Sequence, residues 1–315
     1  MTIAKACEPV FSPASSATFS NPLLPKPSQD PWVTFRDGTY HALNTDGRVL
    51  WLRRSSSVRD LYHQAPVPVW TAPMQGPHSK HLWAPELHFL NGKWFIYYAA
   101  DNGRNRNHRL WALEAEGADA AGPYRHCGML QTGTWAIDAT VLRDHRGELY
   151  MLWSGWERVQ RGPQNLYLSS MDSPTRLRGP RVRLAEPVEP WENCGAPVCE
   201  GPAVLQRNGL TCVIYSAGAS WMADSCLGLL VNRDGNLLDP LSWEKTGPVF
   251  ARTEEVWGLG HCSFVNNHDG DPLMFYHAKT RLNHGWKDRN VRAQHFTWGP
   301  DGLPHFGRPV AVPSA

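Results

Sequence analysis

The sequence carries almost no net charge: 31 Lys and Arg stand against 29 Asp and Glu, leaving +2 over 315 residues. A balance this even gives no electrostatic footprint for nucleic acid or an anionic membrane surface. No apolar run approaches the roughly 20 residues that cross a bilayer. The first twenty residues, rich in Ser, Ala and Pro, lack the continuous apolar stretch of a secretory signal, which favours a cytoplasmic over a periplasmic or secreted location. Amphipathic helical periodicity is nearly absent. No Cys or His spacing matches a zinc site, and there is no His-Glu-x-x-His. Seven cysteines are an odd number, so at least one thiol is unpaired. Cys194 and Cys199 are near enough in sequence to bridge, although scattered free thiols are the commoner outcome.

What is present is a folded composition, 42% hydrophobic and 19% charged, with 15 Trp. It also shows a repeat. Val33, Leu87, Val141, Val204 and Val265 each close a short apolar stretch, at steps of 54 to 63 residues. A glycine turn follows each at a near-constant offset: Gly38, Gly92, Gly147, Gly209 and Gly270. A second stretch rich in β-branched and aromatic residues comes next, at 40–43, 94–98, 149–153, 211–215 and 273–276, as strands require. Third strands follow in several repeats. Five such units predict an all-β, five-bladed β-propeller forming a single domain over residues 21–315. Residues 1–20 read as a flexible arm, and residues 300–315 as the segment that returns to close the ring.

First strands line the axis of a propeller, so residues at their starts face one end of the funnel. Asp30 and Asp138 sit three residues before Val33 and Val141; Glu200 sits four before Val204, the phase that His261 has relative to Val265. Singly these acids have plain readings. Asp30 before Pro31 initiates a turn, Asp138 bonds nearby backbone, and Glu200 is a surface charge. Jointly, at one place in the repeat, they point to acid/base cleavage of a glycosidic bond, which needs carboxylates of unlike environment. On this reading the aspartates stay ionised and Glu200 keeps its proton. Glu86 is near the same phase but follows Pro85, and reads as structural.

The motifs Gln29-Asp30-Pro31-Trp32-Val33, Trp83-Ala84-Pro85-Glu86, Trp135-Ala136-Ile137-Asp138, Trp153-Ser154-Gly155-Trp156, Glu200-Gly201-Pro202, Gly260-His261-Cys262 and Arg289-Asn290-Val291-Arg292-Ala293-Gln294 together resemble glycoside hydrolase family 43. Trp-Ala-Pro-Glu and Trp-Ser-Gly-Trp look most like its exo-acting α-L-arabinofuranosidase branch. The resemblance implies an inverting mechanism with Asp30 as base, Glu200 as acid and Asp138 tuning the acid's pKa. It implies no cofactor for the chemistry, and a structural calcium or other ion near His261. The substrate implied is an arabinose-containing oligosaccharide or polysaccharide of the plant cell wall. Trp83, Trp135, Ser154, Trp156, Gln164 and Arg292 are the candidate substrate-binding residues, the indoles for stacking and Arg292 for its planar fork of donors. The alternatives are a β-xylosidase or endo-arabinanase on the same site, or a non-catalytic carbohydrate-binding propeller.

Overall fold

The computed structural model describes residues 19–283 and 285–312. The expected arm at 1–20 therefore lies almost wholly outside the described residues. Among those residues there is no α-helix, only four single 3₁₀ turns. The strands form antiparallel sheets in chain order. Blade one is β1 (Trp32–Arg36), β2 (Thr39–Thr45), β3 (Val49–Ser55) and β4 (Val67–Thr71). Blade two is β5 (Lys80–Leu90), β6 (Lys93–Asp101), β7 (Arg109–Ala115) and β8 (Tyr124–Met129). Blade three is β9 (Ala136–Arg143), β10 (Leu149–Gly155), β11 (Asn165–Ser173) and β12 (Arg176–Ala185). Blade four is β13 (Cys199–Arg207), β14 (Leu210–Ala217), β15 (Cys226–Asn232) and β16 (Trp243–Phe250). Blade five has three strands, β17 (Trp257–Asn266), β18 (Pro272–Lys279) and β19 (Arg289–His295).

The first strands touch in a closed circuit: β1 meets β5, β5 meets β9, β9 meets β13, β13 meets β17, and β17 returns to β1. This is the five-bladed propeller that the repeat predicts. Its core is five separate apolar layers, one between each pair of neighbouring blades. Strand alternation builds them. On β6, Trp94, Ile96 and Tyr98 face blade one, while Phe95, Tyr97 and Ala99 face blade three. The layer between blades five and one joins Val33, Tyr40 and Ala42 to Phe275, Val291 and Ala293.

Ring closure differs from the sequence expectation. The segment before β1, not the described part of 300–315, pairs with the backbone of β19. Leu24 bridges Val291, and the Leu23 and Ser28 N–H groups donate to Val291 and Arg289 carbonyls at 2.8 and 2.9 Å. Asn21, buried, uses its amide as a substitute strand: Nδ2 donates to the Ala293 carbonyl at 3.0 Å, and Oδ1 accepts from the Ala293 N–H at 2.9 Å. The C-terminal segment instead forms a small hairpin, β20 (Thr297–Trp298) with β21 (Pro304–His305). It then covers the layer between blades four and five, where Phe306 is buried.

Closing a ring removes its free edges, so the Asn21 contact should matter to the whole domain. Asn21→Ala leaves a buried N–H and a buried C=O unpaired, and should lower unfolding free energy by about 2–4 kcal/mol. Urea denaturation followed by circular dichroism measures this; an unchanged midpoint would show that closure does not depend on the contact.

Candidate active site

Each inner strand reaches the axis through one unusual residue. Asp30 (φ 50°), Ala84 (41°), Asp138 (57°), Gly201 (55°) and His261 (40°) all have left-handed backbone. In blades two to five this residue opens a bulge, seen as a register shift between β5 and β6, β9 and β10, β13 and β14, and β17 and β18. A bulge inserts one unpaired residue and re-aims the side chains around it. Asp and His tolerate this conformation better than most residues, and Gly without strain. At Gly201 there is a second reason: a Cβ there would lie 2.9 Å from His261 Nδ1 and 3.1 Å from Ser216 Oγ.

The bulges correct the phase expected from sequence. His261 is the counterpart of Asp30 and Asp138, while Glu200 stands one residue before its blade's bulge. The three acids nevertheless line one cavity of about 570 Å³ at the axis. His261 Nδ1 lies between the aspartates, 3.7 Å from Asp30 Oδ1 and 4.0 Å from Asp138 Oδ2.

The acids differ in their surroundings. Burial pulls the Asp30 pKa upward, but Arg289 (Nη1 to Oδ1 3.5 Å), His261 and His277 (Nδ1 to Oδ1 3.2 Å) outweigh it and hold the group well below the usual carboxylate range. Burial pulls His277 down to about 4 and lowers His261 as well, against the charge of Asp30. Asp138 is raised well above its ordinary value, first by burial and then by the charges of Glu200 and Asp30. It accepts one compensating hydrogen bond, from the Gly201 N–H at 2.9 Å. Glu200 is also raised, mainly by burial, against a 2.8 Å hydrogen bond that its Oε2 accepts from Gln164. The raised pKa of Asp138 runs against the permanently ionised aspartate expected from sequence, and the charge of Glu200 is one of its causes.

The other candidates divide. Trp83, Trp135, Trp156 and Gln164 line the cavity. Trp135 and Trp156 stack on each other at 4.6 Å, and Trp83 stacks on His108 at 3.9 Å. Ser154 does not line it. Fully buried, its hydroxyl donates to the Cys199 carbonyl at 2.8 Å and receives Gln164 Nε2 at 3.3 Å, so it holds the approach to Glu200 from behind. Arg292 also lies elsewhere. It is fully buried and spends its donors on Asn290 Oδ1 (2.8 Å), the Val310 carbonyl (3.0 Å) and the Lys279 carbonyl (3.3 Å). Arg289, three residues earlier and so on the opposite face of β19, is the guanidinium at the cavity. Sequence reasoning also missed His277 and Trp286, both on the cavity wall.

Glu86 is buried and bonded to His88 Nε2 at 2.8 Å, as a structural residue would be. The described cysteines are all free; Cys199 Sγ donates to Glu192 Oε1 at 3.3 Å rather than bridging to Cys194. Among the described residues no three His, Cys, Asp or Glu groups are placed to hold a metal ion. The described residues therefore give no support to the structural ion expected near His261.

The sequence profile of glycosyl hydrolases family 43 matches residues 19–304. The chain belongs to that family. Alpha-L-arabinofuranosidase 43 of Humicola insolens is 33% identical over 97% of this chain and 66% of its own length. An extracellular exo-α-(1→5)-L-arabinofuranosidase of Streptomyces chartreusis is 35% identical over 81% of this chain and 83% of its own. Among solved structures, an α-L-arabinofuranosidase from Lactobacillus brevis superposes with a TM-score of 0.88 at 32% identity, covering 94% of this chain and 98% of that one. This family 43 chain spans just under two thirds of the Humicola relative's length.

The charge assignments are open to titration. In Glu200→Gln the pKa of Asp138 should fall but stay above the ordinary carboxylate value, because burial is the larger cause. In Arg289→Gln the pKa of Asp30 should rise. Carboxyl ¹³C NMR across pH reads both; an Asp138 that titrates normally in the unaltered protein would contradict the upward shift.

Proposed function

We propose that this family 43 protein is an inverting, exo-acting α-L-arabinofuranosidase that releases terminal arabinose from α-1,5-linked arabino-oligosaccharides or arabinan. The observation that carries the reading is the meeting of three carboxylates of unlike surroundings in one cavity: Asp30 beside Arg289, its pKa held low, and Asp138 and Glu200, both shifted upward. The named activities of the Humicola, Streptomyces and Lactobacillus relatives support the choice of sugar. A pocket walled by Trp83, Trp135 and Trp156 suits a chain end with apolar ring faces.

In the proposed step Asp30 takes a proton from a water molecule, whose oxygen bonds to the anomeric carbon. The bond from that carbon to the leaving oxygen breaks, and Glu200 gives its proton to that oxygen. Asp138, beside the acid, helps keep the proton available until then. Single displacement needs the base and acid carboxyls about 6.5–9.5 Å apart, with room for the water. Asp30 and Glu200 belong to different blades, which permits such a gap. Arg289 and the two imidazoles hold Asp30 ready as a base, and the bond from Gln164 orients Glu200.

Asp30→Ala and Glu200→Gln should each remove all but a thousandth or so of the activity on an aryl α-L-arabinofuranoside, consistent with general acid–base contributions of about 10²–10⁴. Proton NMR of the first product should show the β-anomer. An initial α-anomer would refute single displacement, a preference for aryl β-xylosides or for internal cleavage of arabinan would replace the specificity, and binding without turnover would replace catalysis.

The pH profile has a definite sign. Asp30 must be ionised, so its depressed pKa places the acid limb of kcat/KM at low pH. The proton on the Asp138–Glu200 pair must be present, so its loss sets the alkaline limb. Arg289→Gln should move the acid limb to higher pH, because the base is then protonated sooner. An unmoved acid limb would mean that Asp30 does not set it.

A further inference from the structure

Two indoles at the cavity mouth have no part in the step just described. Trp221 lies in the loop between β14 and β15, and Trp286 in the loop between β18 and β19; both line the cavity. Trp286 is 55% exposed, an unusual cost for so large an apolar ring. Its position is nevertheless fixed. Its ring meets Trp221 edge to face, with centroids 5.4 Å apart and planes at 70°. Its Nε1–H donates to Ser220 Oγ at 3.3 Å. The loops are tied together beneath the rings. The Gly285 N–H donates to the Trp221 carbonyl at 2.6 Å. Fully buried Lys279 donates through Nζ to the carbonyls of Trp221 (2.7 Å), Met222 (3.3 Å) and Asn283 (3.3 Å).

Ser220 links this corner to the chemistry. It lines the same cavity as Glu200 and helps lower that carboxyl's pKa against burial. The exposed indole is therefore one hydroxyl away from the group that protonates the leaving oxygen. The leaving oxygen stays on the remaining part of the substrate, and Trp286 is the exposed ring on the cavity wall at this corner. A ring with an apolar face and polar edge would cover the indole while its hydroxyls stay in water.

We propose that Trp286, braced by Trp221, is the stacking platform for the sugar ring on the leaving-group side of the bond, and so a determinant of preference for oligosaccharides. The proposal rests on the arabinofuranosidase reading. Lys279 is a positioning residue for the platform, because its three bonds hold both loops at one height. The inner pocket of Trp83, Trp135 and Trp156 takes the sugar that is released; the corner takes the one that remains on the chain.

The test uses the full chain with α-1,5-arabinotriose as substrate and free L-arabinose as a competitive inhibitor that fills only the inner pocket. Trp286→Ala alters an exposed side chain and should not impair folding. It should raise KM for the trimer about tenfold, a stacking loss of ordinary size, with kcat within about twofold and the Ki of arabinose unchanged. Trp286→Phe should recover most of the loss. An unchanged KM overturns the platform and leaves the function standing, as does an equal rise in the arabinose Ki, which would place Trp286 in the inner pocket. Unaltered protein that fails to cleave the trimer overturns the function, and the platform with it.

Discussion

Five strand ends must share one axis, and this crowding governs the site. Strands packed around a propeller axis point their pleated side chains at the neighbouring blades, not into the funnel. Here a left-handed residue at the mouth of every blade breaks that pattern. It turns Asp30, Asp138 and His261 inward, and it brings blade four so close to His261 that only glycine fits at Gly201. Gly260 is under the same pressure, since a Cβ there would lie 2.7 Å from His277 Nε2. Non-glycine residues in this conformation each carry strain of order 1–3 kcal/mol. The five apolar layers between blades hold the ring against it. Strain at the axis and apolar packing around it are therefore two sides of one arrangement.

That arrangement also decides the protonation states. Asp138 is buried and Asp30 and Glu200 are half-buried, and desolvation alone would raise all three pKa values. Asp30 escapes because one guanidinium reaches it and two imidazoles face it. Asp138 and Glu200 have hydrogen bonds from uncharged donors, the Gly201 N–H and the Gln164 amide. Neutral donors moderate the effect of burial without cancelling it. The difference between base and acid therefore comes from where the chain places one arginine and two histidines, which act most strongly on Asp30. Behind Glu200, a buried network completes the support: Glu192 accepts from Tyr215, Lys245 and Cys199, and Cys199 immediately precedes the acid. The Cys199 thiol is a weak donor to Glu192, and its backbone carbonyl receives the Ser154 hydroxyl.

The repeat was legible because the glycine of each first turn recurs, and a turn is a local feature. The acids were legible because they sit where first strands begin. The bulges were not, since one inserted residue looks like ordinary variation in spacing. Counting from Val265 therefore grouped His261 with Glu200, whereas Phe264 is the residue that corresponds to the other blades' reference positions. The same limit explains Arg292. Two arginines three residues apart on a strand face opposite ways, and sequence does not say which face meets the axis. The structure does: Val291 and Ala293, of Arg289's parity, pack toward blade one, where Asp30 lies. Ring closure was misplaced for a similar reason. Both terminal segments are short and partly apolar, and the decisive contact is the side-chain amide of Asn21, which imitates a strand without resembling one in sequence.

Axis and rim follow different physical rules, and this bears on specificity. At the axis, blade geometry fixes each residue, so a change there disturbs neighbours in several blades. At the rim, Trp221 and Trp286 stand on loops whose lengths the ring does not constrain. Those loops are nevertheless tied to blade five, because Lys279, fully buried at the end of β18, reaches the carbonyls of Trp221 and Asn283. A buried ammonium bonded to three carbonyls is a costly device unless its position matters. Here it joins the last inner strand's neighbour to two loops that stand over the acid. The chemistry is thus carried by the part of the fold that cannot vary, and the leaving group meets the part that can, held steady by one lysine.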